Sequence, residues 1–141
     1  MSLRENLFRK KRIQKIKDGT IDWQKLARDL PPKYQEILEE NITYIEEYAR
    51  KNKLTEAQLT ELKELEVIIA RSGYLDERNQ QATRSGDEYA ARDILNNNEE
   101  IIALNEQYDK KEAKLGRHAS AASEYIEKRS NEKHQEKGQG R

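Results

Sequence analysis

The stretch KNKLTEAQLTELKELEVIIARSGY, residues 51–74, carries a start signal, an apolar stripe and a stop signal for one helix. Thr55-Glu56-Ala57-Gln58 fits a capping box, in which the Thr55 hydroxyl accepts the Gln58 N–H while the Gln58 side chain reaches back. Leu54 and Leu59 flank it at the positions of a hydrophobic staple. Leu59, Leu62, Leu65 and Ile69 recur at helical spacing, and Ile68 widens the stripe. Ser72-Gly73-Tyr74 has the form of a Schellman stop, with Gly73 left-handed and Tyr74 folding back on Ile69.

Upstream, a second helical stripe runs through Tyr34, Ile37, Leu38, Ile42, Ile45 and Ala49. The link between the two stripes is a few residues long, and so short a link makes neighbouring helices antiparallel. Residues 32–72 therefore read as a helical hairpin. Before it, Trp23, Leu26, Ala27 and Leu30 share one helical face, with Thr20 as the expected N-cap and Pro31-Pro32 as the stop. Trp23 is expected to pin this short helix to the hairpin. Residues 3–17 are helix-compatible but poorly amphipathic, a helix that settles only against something else, and Asp18-Gly19 breaks it.

Downstream, residues 73–86 hold almost nothing to bury and read as a polar connector or a weak helix. Ser85-Gly86-Asp87-Glu88 fits a second capping box, opening a long helix over 87–130. Ile94, Ile101, Tyr108, Leu115 and Ala122 repeat every seven residues, with Leu104 and Tyr125 on the accompanying positions. That is the pattern of a coiled-coil seam, which Asn97, Lys111 and His118 interrupt with polar groups. Such a helix measures roughly 65 Å, against roughly 30 Å for each hairpin helix. Either it kinks near Gly116, or a second copy or another protein covers the overhang. The tail, 131–141, has no apolar residue and is expected to be disordered alone.

The predicted fold is thus all-α: a basic arm over 1–19, a short helix and capped antiparallel hairpin over 20–72, and a long C-terminal helix with coiled-coil-like heptads, together an extended helical bundle. Composition agrees. Leu, Ile, Val and Phe make up about a fifth of the chain and charged residues 38%, with 27 cations balancing 27 carboxylates. Balanced charge with few core residues suits long helices with narrow apolar stripes. The balance hides a pattern of basic ends and an acidic middle.

Chemistry-bearing motifs are missing. There is no cysteine, no phosphate-binding glycine loop and no Glu-x-x-His pair, and the histidines are His118 and His134. No catalytic residue, metal or cofactor is expected, and paired carboxylates such as Glu99-Glu100 read as a solvated face. The first 17 residues lack an apolar h-region and no apolar run is long enough to span a bilayer, so neither a secretory signal nor a span is expected. The lack of cysteine is compatible with a cytoplasmic setting.

Three features carry functional expectations. The heptad residues Ile94, Ile101, Leu104, Tyr108 and Leu115 are expected to bind a protein partner or a second copy. Tyr44 and Tyr48, four apart and slightly off the hairpin stripe, are candidates for an interface or for packing. Arg9, Lys10, Lys11, Arg12, Lys15 and Lys17 could hold phosphates, with Phe8 stacking on a base, or could dock on the acidic middle of the chain itself. The expected function is a non-enzymatic protein–protein interaction module, an adaptor, inhibitor or assembly factor. A nucleic-acid-associated protein using the basic arm is the alternative.

Overall fold

The computed structural model describes residues 3–139, with side chains through residue 135; residues 1, 2, 140 and 141, the ends of the expected arm and tail, lie outside the described residues. The described residues form six helices: α1 Leu3–Asp18, α2 Trp23–Arg28, α3 Pro32–Lys51, α4 Glu56–Ser85, α5 Ala90–Leu115 and α6 Arg117–Gln139. No helix among them is long and apolar enough to cross a membrane.

The hairpin forms from local signals. The Gln58 N–H donates to the Thr55 hydroxyl at 3.1 Å and the Thr55 N–H donates to Gln58 Oε1 at 3.0 Å, closing the capping box that starts α4. Ion pairs cross the hairpin at both ends, Lys33 to Glu77 at 2.8 Å and Lys63 to Glu46 at 3.6 Å, so α3 and α4 are antiparallel. Asp22, not Thr20, caps α2, accepting the Lys25 N–H at 3.1 Å. Gln35 bridges the Pro31-Pro32 link by donating to the carbonyls of Arg28 and Leu30.

Two apolar clusters hold the helices together. One gathers Ile13 and Ile16 of α1, Trp23 and Leu26 of α2, Leu30, Leu38 of α3, Val67, Ile68 and Leu75 of α4, and Leu104 of α5. The other, at the loop end of the hairpin, gathers Ile45 and Tyr48, Leu62 and Leu65, Leu115, and Ala119 and Ala122 of α6. Cross-helix bonds give the directions. Asn97 reaches Asn79 and Lys111 reaches Glu61, so α5 is antiparallel to α4. Tyr125 reaches Glu47 and Lys133 reaches Glu40, so α6 is antiparallel to α3. Arg9 meets Asp93 and Arg12 meets Glu100, so α1 lies parallel to α5.

Further expectations are corrected. First, the helix that starts at the capping box does not stop at Gly73. It continues through residues 73–85, and the left-handed stop falls at Gly86, with φ of 64°. Leu75 buries in the first cluster and Asn79 bonds to α5, which rewards continuing the helix. Second, the box expected at Ser85 and Glu88 does not form. The Asp87 carboxylate instead accepts the Tyr89 N–H at 3.1 Å, and α5 begins at Ala90. Third, the long heptad helix is two helices. Gly116, at φ 57° and ψ −133°, takes a backbone conformation that a side chain strains, and α6 folds back along α3. Residues 131–139, expected to be disordered, continue α6.

The Gly73 correction has a clean test. A methyl group there would meet Tyr34 Cε1 at 3.8 Å, an ordinary contact. In a helix interior Gly73→Ala should therefore stabilise the chain by about 0.5–1 kcal/mol. A left-handed stop would give a loss, so the sign of the change in urea midpoint decides between the two.

Candidate interaction surface

The heptad residues face inward. Leu104 and Leu115 are buried within the chain, Ile101 and Tyr108 pack against the first cluster, and Ile94 is half-buried. Their partner along the seam is the chain's own hairpin, with α1 and α2. The polar positions in the seam are matched one by one. The Asn97 amide donates to Asn79 Oδ1 at 2.9 Å. Lys111, buried, donates to Glu61 and Glu64 at 3.1 and 3.2 Å and sits over the Trp23 ring. His118 Nδ1 shares a 2.8 Å hydrogen bond with the Tyr48 hydroxyl.

Tyr44 and Tyr48 are both buried, against α6. Tyr44 donates to Glu40 at 2.9 Å with the Arg129 guanidinium over its ring, and Tyr48 packs on Tyr125. They make an interface, but one internal to the chain.

The basic arm divides. Arg9 and Arg12 turn inward, to Asp93 at 3.9 Å and Glu100 at 2.8 Å, while Lys10, Lys11, Lys15 and Lys17 stay exposed. Burial lowers the Arg9 pKa, with Asp93 opposing. A groove of about 440 Å³ between α1 and α2 is edged by Phe8, Lys11, Lys15 and Lys25, but also by Asp22 and Asp29.

Glu100, expected on a solvated face with its neighbour Glu99, is 1% exposed. Arg71 Nε donates to it at 2.6 Å and Arg12 Nε at 2.8 Å. Burial pushes its pKa up, and the two guanidiniums more than offset this, leaving it lowered. The signal was present in the sequence: Asn97, Glu100, Leu104, Gln107 and Lys111 lie three or four apart, on one helical face. Among the described residues no group of three or more His, Asp or Glu side chains is placed to hold a metal.

Large apolar side chains stay exposed on α1, on α5 and on the hairpin, and on the hairpin two of them line one groove. Ile37 is 58% exposed and Ile69 49%. They flank a groove of about 190 Å³ lined also by Tyr34, Leu38, Asn41, Glu66 and Ala70. Glu66 is 8% exposed, and its recorded hydrogen bond is from the Asn41 amide, at 3.3 Å. Burial raises its pKa, and the Asn41 amide opposes this. Tyr34 also edges a second hollow, lined by Asp76, Glu77 and Arg84. Tyr34 donates to the Glu77 carboxylate, which helps push the Tyr34 pKa up to about 12.

Comparison with family models, with curated proteins and with solved structures returns no match.

Proposed function

We propose that the chain is a non-enzymatic helical interaction module, an adaptor, inhibitor or assembly factor of the cytoplasm, that offers the α3–α4 hairpin groove to a protein partner. The observation that carries this reading is the pair Ile37 and Ile69, large apolar side chains left half open side by side on a chain with few apolar residues. The heptad residues are engaged within the chain, so a partner or second copy on that seam would have to displace α4 or α6. The charged rim supports specificity: potentials that match across an interface steer encounter and reject wrong partners.

The test is affinity capture of the tagged chain from its source cells, with and without nuclease, beside an Ile37→Asp/Ile69→Asp variant. A stoichiometric protein that survives nuclease and is lost with the variant is the expected result. A protein retained equally by the variant removes the hairpin reading.

The α1–α2 groove favours one second reading, phosphate binding by Lys11, Lys15 and Lys25 with Phe8 against a base. Nucleic acid in the eluate, released steeply as salt rises, would promote it.

A further inference from the structure

The hairpin groove is already occupied by a helix over half its length. At its loop end α6 lies across α3 and α4, placing Ala119 and Ala122 against Ile45, Tyr48, Leu62 and Leu65. Farther along, α6 sets cations on hairpin carboxylates: Arg129 on Glu47 at 3.1 Å and Lys133 on Glu40 at 3.3 Å. Helical spacing continues the same line toward the open end. Ile37 lies seven and eleven residues before Tyr44 and Tyr48, on their face of α3. Ile69 lies seven and four residues after Leu62 and Leu65, on their face of α4. The open half therefore continues the apolar floor of the closed half and adds a buried carboxylate, Glu66.

That carboxylate lacks its cation. Among the described residues, the buried carboxylates Glu66 and Glu100 are treated differently: Glu100 has two guanidiniums, whereas Glu66 has one amide and no ion pair. Lys63, nearby on α4, pairs with Glu46 instead. From α5, Tyr108 is the titratable group whose charge state Glu66 affects. Burying a carboxylate with one amide and no counter-ion is costly, and Leu would fill the position without that cost. Charge complementarity, together with the helix already seated in the same groove, points to one kind of occupant.

Building on the proposed function, we infer that the open half of the groove docks an amphipathic helix of another protein, whose apolar face covers Ile37 and Ile69 and sets one lysine or arginine on the Glu66 carboxylate. This is helix-in-groove recognition, with anchors at i, i+3, i+4 and i+7.

The probe is a pair of synthetic helical peptides with leucine at those anchor positions. They differ only at one site on the apolar face, lysine in one and norleucine in the other, so apolar attraction is common to both, and high salt screens what the extra charge adds non-specifically. Binding to the full chain is followed by fluorescence anisotropy. The lysine peptide should bind about tenfold tighter or more, the range of a charge-assisted hydrogen bond. Glu66→Gln should erase the preference while circular dichroism stays unchanged, and Ile69→Asp should abolish both complexes. The Glu66 carboxyl resonance should titrate at lower pH with the lysine peptide bound than in the free chain. Equal affinity for the two peptides, a preference that survives Glu66→Gln, or no saturable binding overturns the proposal. So does a dimer of the chain itself that Ile69→Asp reduces to monomer. Binding without the lysine preference would remove the role of Glu66 and leave the hairpin as the partner surface, whereas the capture experiment with Ile37→Asp/Ile69→Asp tests that surface independently.

Discussion

Arg71→Ala is expected to destabilise the fold by about 3–5 kcal/mol, the cost of leaving one member of a buried pair without its partner. Glu100 is 1% exposed and Arg71 7%, and they meet at 2.6 Å. Arg12 holds the other side of the carboxylate but is far more exposed and has one recorded bond to it. It offers a weaker substitute. Removing Arg71 also withdraws the guanidinium that lies over the Tyr74 ring. A loss of this size is a large part of the roughly 5–15 kcal/mol that holds a typical domain folded.

Two controls make the cause specific. Arg71→Met/Glu100→Leu removes both charges together and should recover most of the loss, because a well-packed apolar pair can replace a buried ion pair. The pH dependence should change sign. In the wild type the lowered Glu100 pKa contributes stability that is full above the unfolded value of about 4.3 and is lost as pH falls through the folded value. In Arg71→Ala burial outweighs the remaining cation and the folded value rises, so acid relieves the variant. The gap between the two urea midpoints should therefore narrow below about pH 4. A gap constant with pH would mean that packing around Arg71, not its charge, carries the effect.

Leu104→Ala should cost about 2–5 kcal/mol, the transfer term of the lost side chain plus the cavity left behind. Leu104 has no exposed surface and sits where α5 crosses the cluster built from α1, α2 and α4. Ile102, on the outer face of α5, is 57% exposed, and Ile102→Ala should stay within about 0.5 kcal/mol. Urea denaturation at several protein concentrations checks both. The wild-type midpoint should not move with concentration, because the seam closes within one chain. A midpoint that rises with concentration would place Leu104 in a contact between copies.

The capping box at Thr55 and Gln58 was legible because all of its bonds lie within four residues. So were the stripes of α3 and α4 and the break after Asp18. The stop at Gly86 was not, because Ser72-Gly73 and Ser85-Gly86 offer nearly the same local signal. Local chemistry cannot choose between them. The choice came from Leu75 and Asn79, which contribute only once α5 lies alongside. Asn97 and Lys111 stood out as polar interruptions of a heptad, but their partners Asn79, Glu61 and Glu64 lie on another helix. Glu100 shared the face of Leu104, and its neighbour Glu99 disguised it as part of a wet surface.

Short-range chemistry in the chain was enough to determine the all-α class, the antiparallel hairpin and where its second helix begins, because caps, turns and stripes act over a few residues. The sequence offered a break near Gly116 as one of two alternatives; the tertiary structure chose it, closed the seam on the chain itself, and left Ile37 and Ile69 exposed beside the buried Glu66. Those outcomes depend on which surfaces of helices far apart in sequence meet, and an apolar stripe is the same in sequence whether its own hairpin or a partner covers it.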